Sequence, residues 1–253
     1  MNSNSKPKVE VSLSPKIYPY RLIQSDFDGV VTDVFRATTS ICAALDYGVQ
    51  AIIPVAGLDD ARVYQGKGYK IACERNGSVM DFADLGNSPS DFRREDLLNT
   101  KVVFSTTNGT QMIQMLAQDA KSVSIGALVN VGAIARWLMQ RQNSVVIACA
   151  GWKSLFNLED TLFAGALASL LIHEGHYSTE CDSAKAAIDL WQLAKENPKE
   201  YLSKASHRHR LKHLLSDEDF AYSTTINQSD IVPLLHEKEL IPATKLSTFN
   251  HGK

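Results

Sequence analysis

Val30-Val31-Thr32-Asp33-Val34-Phe35-Arg36-Ala37-Thr38-Thr39-Ser40 joins the end of an apolar run to the start of a helical pattern, with a carboxylate and a guanidinium at the join. In an α/β protein the ends of strands and the starts of helices face one crevice. Unpaired backbone N–H groups and the helix dipole make that crevice favourable for phosphate. Asp33 suits a cation there, and Arg36 suits an anion.

Working outward, apolar runs at Gly29–Val34, Ala51–Val55, Lys101–Ser105 and Ser144–Ala148 read as inner strands, joined by a shorter one at Lys121–Ile125. Lys8–Ser14 alternates apolar and polar residues as a half-buried strand does. Helical patterns fill the gaps: Thr38–Tyr47, Leu58–Lys67, Gly109–Gln118, Val131–Gln140 and Leu158–Glu174. Strand and helix therefore alternate, and parallel strands need such crossovers. The expected architecture is a three-layer α/β/α fold with a mainly parallel or mixed sheet. Past Cys181 the charge rises and strands thin out, with a helix at Lys185–Glu196 and a turn leading into a new helix at Asn197–Glu200. The expectation is one domain over 8–242, helix-rich from about 181, with flexible tails at 1–7 and 243–253.

The formal net charge of −2 over 253 residues leaves no global basic field, so nucleic acid is not an expected partner. No signal-peptide pattern and no run near the roughly 20 apolar residues of a spanning helix occurs, so a cytoplasmic protein without a membrane partner is expected. The four cysteines lack CxxC spacing and read as core residues, Cys149 among them. A homodimer is the default for a soluble enzyme.

Several polar segments can serve the crevice. Thr106-Thr107-Asn108-Gly109-Thr110 follows a strand and opens a helix, which suits phosphate as well as ordinary capping. Cys73-Glu74-Arg75-Asn76-Gly77 and Asp84-Leu85-Gly86-Asn87-Ser88-Pro89 read as polar loops. Glu74 can join Asp33 around a magnesium ion, with Arg75 as a second anion clamp. Glu159 and Asp160 open a long apolar helix, where acids serve the dipole, bind metal or activate water. His207, His209 and His213 lie in a charged helical stretch and read as solvated surface. Met112 and Met115 read as helix core.

Taken together, the motifs at Asp33–Thr39, Glu74–Gly77, Asp84–Pro89, Thr106–Thr110, Cys149–Gly151 and Glu159–Asp160 resemble the 2-phosphosulfolactate phosphatase family, in one order and over roughly Val9 to Pro233. The resemblance implies an α/β, magnesium-dependent phosphatase that converts 2-phospho-3-sulfolactate to 3-sulfolactate and phosphate, a step of coenzyme M synthesis. It places Asp33, Arg36, Glu74, Arg75, Asn87, Ser88, Thr107, Asn108, Gly109 and Asp160 near the active site. On this basis magnesium is expected on Asp33 and Glu74 with Asp160. Arg36, Arg75 and the Thr107–Gly109 backbone are expected on the phosphoryl oxygens, and one arginine with Asn87 or Ser88 on the substrate's other anionic end. Phe35 stands where the family commonly has leucine, and Gln111 where it commonly has arginine. Two alternatives remain: Asp26-Phe27-Asp28-Gly29 looks like the nucleophile motif of haloacid-dehalogenase-type phosphatases, and a catalytically silent protein could keep the crevice as an anion-binding site.

Overall fold

The structure is a computed structural model and describes residues 6–75 and 77–250. In chain order the strands are β1 (Val9–Ser12), β2 (Phe27–Thr32), β3 (Ala51–Pro54), β4 (Lys70–Arg75), β5 (Ser78–Val79), β6 (Lys101–Ser105), β7 (Ser122–Gly126), β8 (Ser144–Cys149), β9 (Pro233–His236) and β10 (Glu239–Pro242). The first five helices are α1 (Ala37–Tyr47), α2 (Leu58–Gln65), α3 (Gly109–Asp119), α4 (Val131–Arg141) and α5 (Leu158–His173). The rest are α6 (Asp182–Ala194), α7 (Pro198–Ser203), α8 (Ser206–Arg210), α9 (Asp217–Thr224) and α10 (Ala243–Asn250).

Alternation along the strands sends side chains to two faces, and each face is covered. Val30, Val145 and Ile147 pack with α4, α5 and α6, whereas their neighbours Val31, Val146 and Ala148 pack with α1 and α3. At the other side of the sheet Ile53, Ile71 and Val103 pack against α2. The fold is therefore the three-layer α/β/α arrangement expected.

All ten strands form one sheet in the order β1-β8-β2-β7-β9-β10-β3-β6-β4-β5. β1, β8, β2 and β7 pair in parallel, as do β3, β6 and β4. Between these halves lies the antiparallel hairpin β9–β10, where sequence patterning pointed to helix. Prolines at its outer ends, Pro233 paired with Pro242, hide it, because proline within a short run argues against a strand. Three antiparallel steps separate β7 from β3, so the two parallel halves run in opposite senses. Twist accumulates at roughly 20–25° per neighbouring pair. Strands five places apart, as β2 and β6 are, thus lie far from collinear, and the two halves can deliver their C-terminal ends to one crevice.

Two further expectations need correction. Cys73 to Arg75 is not loop but the end of β4, which pairs with β6 inside the sheet and with β5 at its margin. Asn76 and residues 1–5 and 251–253 lie outside the described residues. Where a tail was expected past Pro242, Ala243–Asn250 is helical, and Ala243 and Leu246 pack on the core. Cys42, Cys73 and Cys149 are buried as expected, whereas Cys181 is half-buried against the core; burial pushes the Cys149 thiol well above the usual range, as an inert core residue requires. Met112 is fully buried and Met115 partly so.

Candidate active site

α3 lies directly on β2. A Cβ at Gly29 would stand 2.5 Å from Leu116 Cδ2 and 3.3 Å from Ala120 Cβ, so glycine lets α3 approach without displacing Leu116. The close packing brings the first turn of α3 to the C-terminal end of β2. There a Cβ at Gly109 would lie 3.0 Å from Asp33 Oδ2 and 3.0 Å from Ala37 Cβ. The Asp33 carboxylate consequently rests against the positive end of α3, at the floor of a crevice of about 350 Å³. Its main chain is held from α1: Asp33 N donates to Thr38 Oγ1 at 3.1 Å, and Thr38 N donates to Asp33 O at 2.9 Å. No protein donor reaches its carboxylate among the described residues. Burial raises its pKa, His207 and Arg36 pull it down, Glu159 and Glu74 push it up, and the balance is about 6.

The crevice gathers loops from both halves of the sheet. Asp33, Arg36, Glu74, Asn87, Thr107 and Asn108, all expected at the site, line it. Arg36 is buried and committed: Nη2 pairs with Glu74 Oε2, and Nη1 donates to Ser88 Oγ at 2.8 Å and to the Leu214 carbonyl at 2.5 Å. The Phe35–Arg36 peptide bond is cis. Glu74 thus neutralises Arg36 and is not free as Asp33 is. Ser88 lies behind Arg36 and caps the turn Pro89–Phe92.

Arg75 and Asp160 hold backbone. Arg75 donates to the carbonyls of Glu74 and Ala56 at 2.7 and 2.8 Å and to Ser105 Oγ at 2.8 Å, and it does not line the crevice. Asp160 is fully buried; Oδ1 accepts from Val34 N at 2.8 Å and Oδ2 from Gly151 N at 3.0 Å. It ties the start of α5 to the loops after β2 and β8. Burial and the charges of Asp33 and Glu159 push its pKa up, against the Val34 amide and Asn157.

His207 corrects the reading of the histidines. His209 and His213 are exposed, as expected, but His207 is buried at 5 % exposure and lines the crevice. Its Nδ1 lies 2.6 Å from Glu159 Oε1, which also accepts from Asn157 Nδ2 at 3.0 Å. A carboxylate on Nδ1 sets the ring's orientation and leaves Nε2 for the crevice. Sequence reasoning missed this pair because its members lie 48 residues apart and His-Arg-His-Arg looks solvated. It also passed over Trp152 and Arg210, which line the crevice together with Lys153.

The oxygen donors suit a hard dication. Beside the Asp33 carboxylate, the crevice residues Asn87 and Thr106 each bury an oxygen, Oδ1 and Oγ1, without a partner among the described residues. Among the described residues no group of three or more His, Cys, Asp or Glu could enclose a metal ion. One carboxylate with two neutral oxygens could hold a hard cation whose shell is completed by water.

The alternative nucleophile fails on position. Asp26 precedes β2 at the end of the strand away from Asp33, is exposed, and pairs with Lys121 at 3.0 Å. A profile of the 2-phosphosulpholactate phosphatase family matches residues 18–238. The chain belongs to this family. Family members are phosphoric monoester hydrolases. A probable 2-phosphosulfolactate phosphatase of Synechocystis sp. is 37% identical over 210 residues, covering 81% of this chain and 87% of the relative. Another, of Caldanaerobacter subterraneus subsp. tengcongensis, is 33% identical over 210 residues, covering 81% and 86%. A third, of Cyanothece sp., is 35% identical over 243 residues, covering 90% and 99%. Among the described residues no helix is long and apolar enough to cross a membrane.

Proposed function

We propose that the chain is a magnesium-dependent phosphatase that hydrolyses 2-phospho-3-sulfolactate, or a related small 2-phospho acid, to the 2-hydroxy acid and phosphate. The observation that carries this reading is the Asp33 carboxylate, buried, without a donor among the described residues, and set against the first turn of α3. Family membership supports the phosphatase chemistry.

Phosphoryl transfer needs positioning and neutralisation of charge more than covalent work by the protein. Asp33, with Asn87 Oδ1 and Thr106 Oγ1, would hold the magnesium ion. Bound there, magnesium supplies charge neutralisation and lowers the pKa of an adjacent water. The amides at the start of α3, with Thr107 and Asn108, orient the phosphoryl oxygens. His207, steadied by Glu159, stands in the crevice to give a proton to the leaving oxygen. Arg36 and Glu74 keep the wall of the crevice in place as a neutral pair.

The test is phosphate release from 2-phospho-3-sulfolactate, phosphoglycolate, 2-phospholactate and a chromogenic phosphate ester, each with magnesium and with chelator. Magnesium-dependent preference for the sulfonate is the expected result. Hydrolysis of the others without that preference retains the phosphatase and removes the substrate. Ligand-induced stabilisation without turnover on any of the four points to a binder.

A further inference from the structure

Most arginines around the crevice are neutralised or spent on backbone. Arg36 has Glu74, Arg208 has Asp217, and Arg75 has carbonyls. Two cations on the crevice wall differ. Lys153, in the loop after β8, places Nζ 4.7 Å from the centre of the Trp152 ring, and Arg210, at the end of α8, places Cζ 4.1 Å from it. Neither has a carboxylate within ion-pair distance among the described residues, and both line the crevice with Asp33 and His207. An indole face holds such cations in place without cancelling their charge.

The loop itself is anchored. Lys153 N donates to Asn108 Oδ1 at 3.2 Å, which fixes the loop to the start of α3, and Trp152 and Leu155 close a backbone bridge behind it. On the other wall, His207 and Arg210 stand three residues apart in α8, one turn along the same face. The buried Glu159 contact on His207 thus positions Arg210 as well.

We propose that Lys153 and Arg210, braced on Trp152, form a second anion subsite that binds the sulfonate or carboxylate end of a small phospho acid while its phosphate sits at Asp33. The identity of the anion at Asp33 rests on the phosphatase reading above; the subsite does not. A substrate with phosphate, sulfonate and carboxylate groups carries three anionic centres, and Arg36 is already neutralised by Glu74. Lys153 and Arg210 are the crevice cations left to meet them. An arginine fork recognises planar carboxylate and tripodal sulfonate oxygens alike, and the lysine acts as a mobile point charge. This assigns substrate selection to the loop after β8 and to α8, rather than to Arg75 with Asn87 or Ser88.

The test compares kcat/KM for 2-phospho-3-sulfolactate with kcat/KM for phenyl phosphate, which has no second anion, in the wild type, Lys153→Gln, Arg210→Gln and the double variant. Calorimetric binding of 3-sulfolactate is measured on the same four proteins. Both side chains are exposed, so the variants should fold, and circular dichroism checks this. The ratio of the two kcat/KM values should fall by about tenfold for each single variant and about 100-fold for the double, mainly through KM, with sulfolactate binding lost. Equal losses on both substrates would overturn the proposal, because the cations would then serve the transferred phosphate. An unchanged ratio with unchanged binding would also overturn it, leaving solvated surface charges. If the wild type hydrolyses neither ester, the phosphatase reading fails alone. The calorimetry then decides: sulfolactate binding lost in the double variant sustains the subsite, and binding that is absent or unaltered refutes it.

Discussion

Asp28 and Asp33 stand at opposite ends of β2, both buried, in surroundings of opposite kind. Asp28 receives Arg141 Nε and Nη2 at 2.8 and 2.9 Å, Asn143 Nδ2 at 3.0 Å and Ser122 Oγ at 2.6 Å. Burial alone would raise its pKa, but these donors outweigh it and hold the carboxyl below its usual range. The Asp33 carboxylate has no such donors among the described residues, and its pKa is pushed up to about 6. One strand thus carries a carboxylate satisfied by the protein and another left for something outside it. The first locks β2, β7 and the end of α4 together; the second, on the function proposed above, costs stability until a ligand arrives.

The largest expected break in this comparison is catalytic. Asp33→Asn should lower kcat for magnesium-dependent phosphate release by about 1,000-fold or more. Wild-type turnover in that variant would remove Asp33 from the chemistry. At the other end, Asp28→Asn should leave kcat per folded molecule unchanged while lowering stability by about 1–3 kcal/mol in chemical denaturation at pH 7, since the charge-assisted hydrogen bonds are weakened while Arg141, about a third exposed, keeps contact with water. Because the folded pKa of Asp28 is depressed, its contribution is complete above the unfolded carboxylate value of about 3.9 and fades as pH falls through the lower folded value. The gap between wild type and variant should close in that acid range.

Smaller effects sharpen the contrast at the functional end. His207→Gln should reduce kcat by about 100-fold, and Glu159→Gln by roughly tenfold, both with little change in KM. A loss confined to thermal stability would make the pair structural, like Asp28. One effect has the opposite sign to most substitutions. With chelator present, Asp33→Asn should stabilise the protein at pH 7 by on the order of 2 kcal/mol, since a carboxyl raised to about 6 in the fold opposes folding once ionised. The native state holds the extra proton, so wild-type stability declines as pH rises from about 4 to 6. The amide of the variant has no proton to lose, and the gain should vanish near pH 4. Equal stability of the two proteins at both pH values would mean that the Asp33 environment is not the unfavourable one described.

Much of this was legible in the chain. Lys101–Ser105 is a strand over the expected residues, and the first five helices begin and end within two residues of their patterns, because apolar periodicity and the Gly or Asn breaks beside it are local properties. β4 was less legible, since Glu74 and Arg75 are polar although their backbone joins the sheet. The hairpin at Pro233–Pro242 was illegible for the same kind of reason: its strands are short and bounded by proline, and only the gap between two parallel half-sheets makes them strands.

The site divides in the same way. Asp33, Asn87, Thr107 and Asn108 line the crevice from motifs at strand and helix ends, where local geometry already favours anions. Sequence by itself thus determined the alternation of strand and helix, the position of Asp33 near the C-terminal end of β2, and the polar joins around it, each a matter of a few neighbouring residues. Tertiary structure decided that Arg36 answers Glu74, that Arg75 and Asp160 serve the backbone, and that His207 and Arg210 enter from α8. Those outcomes depend on burial and on pairings that reach across as many as 178 residues, and a residue's charge state and free valence are set by what the fold brings beside it.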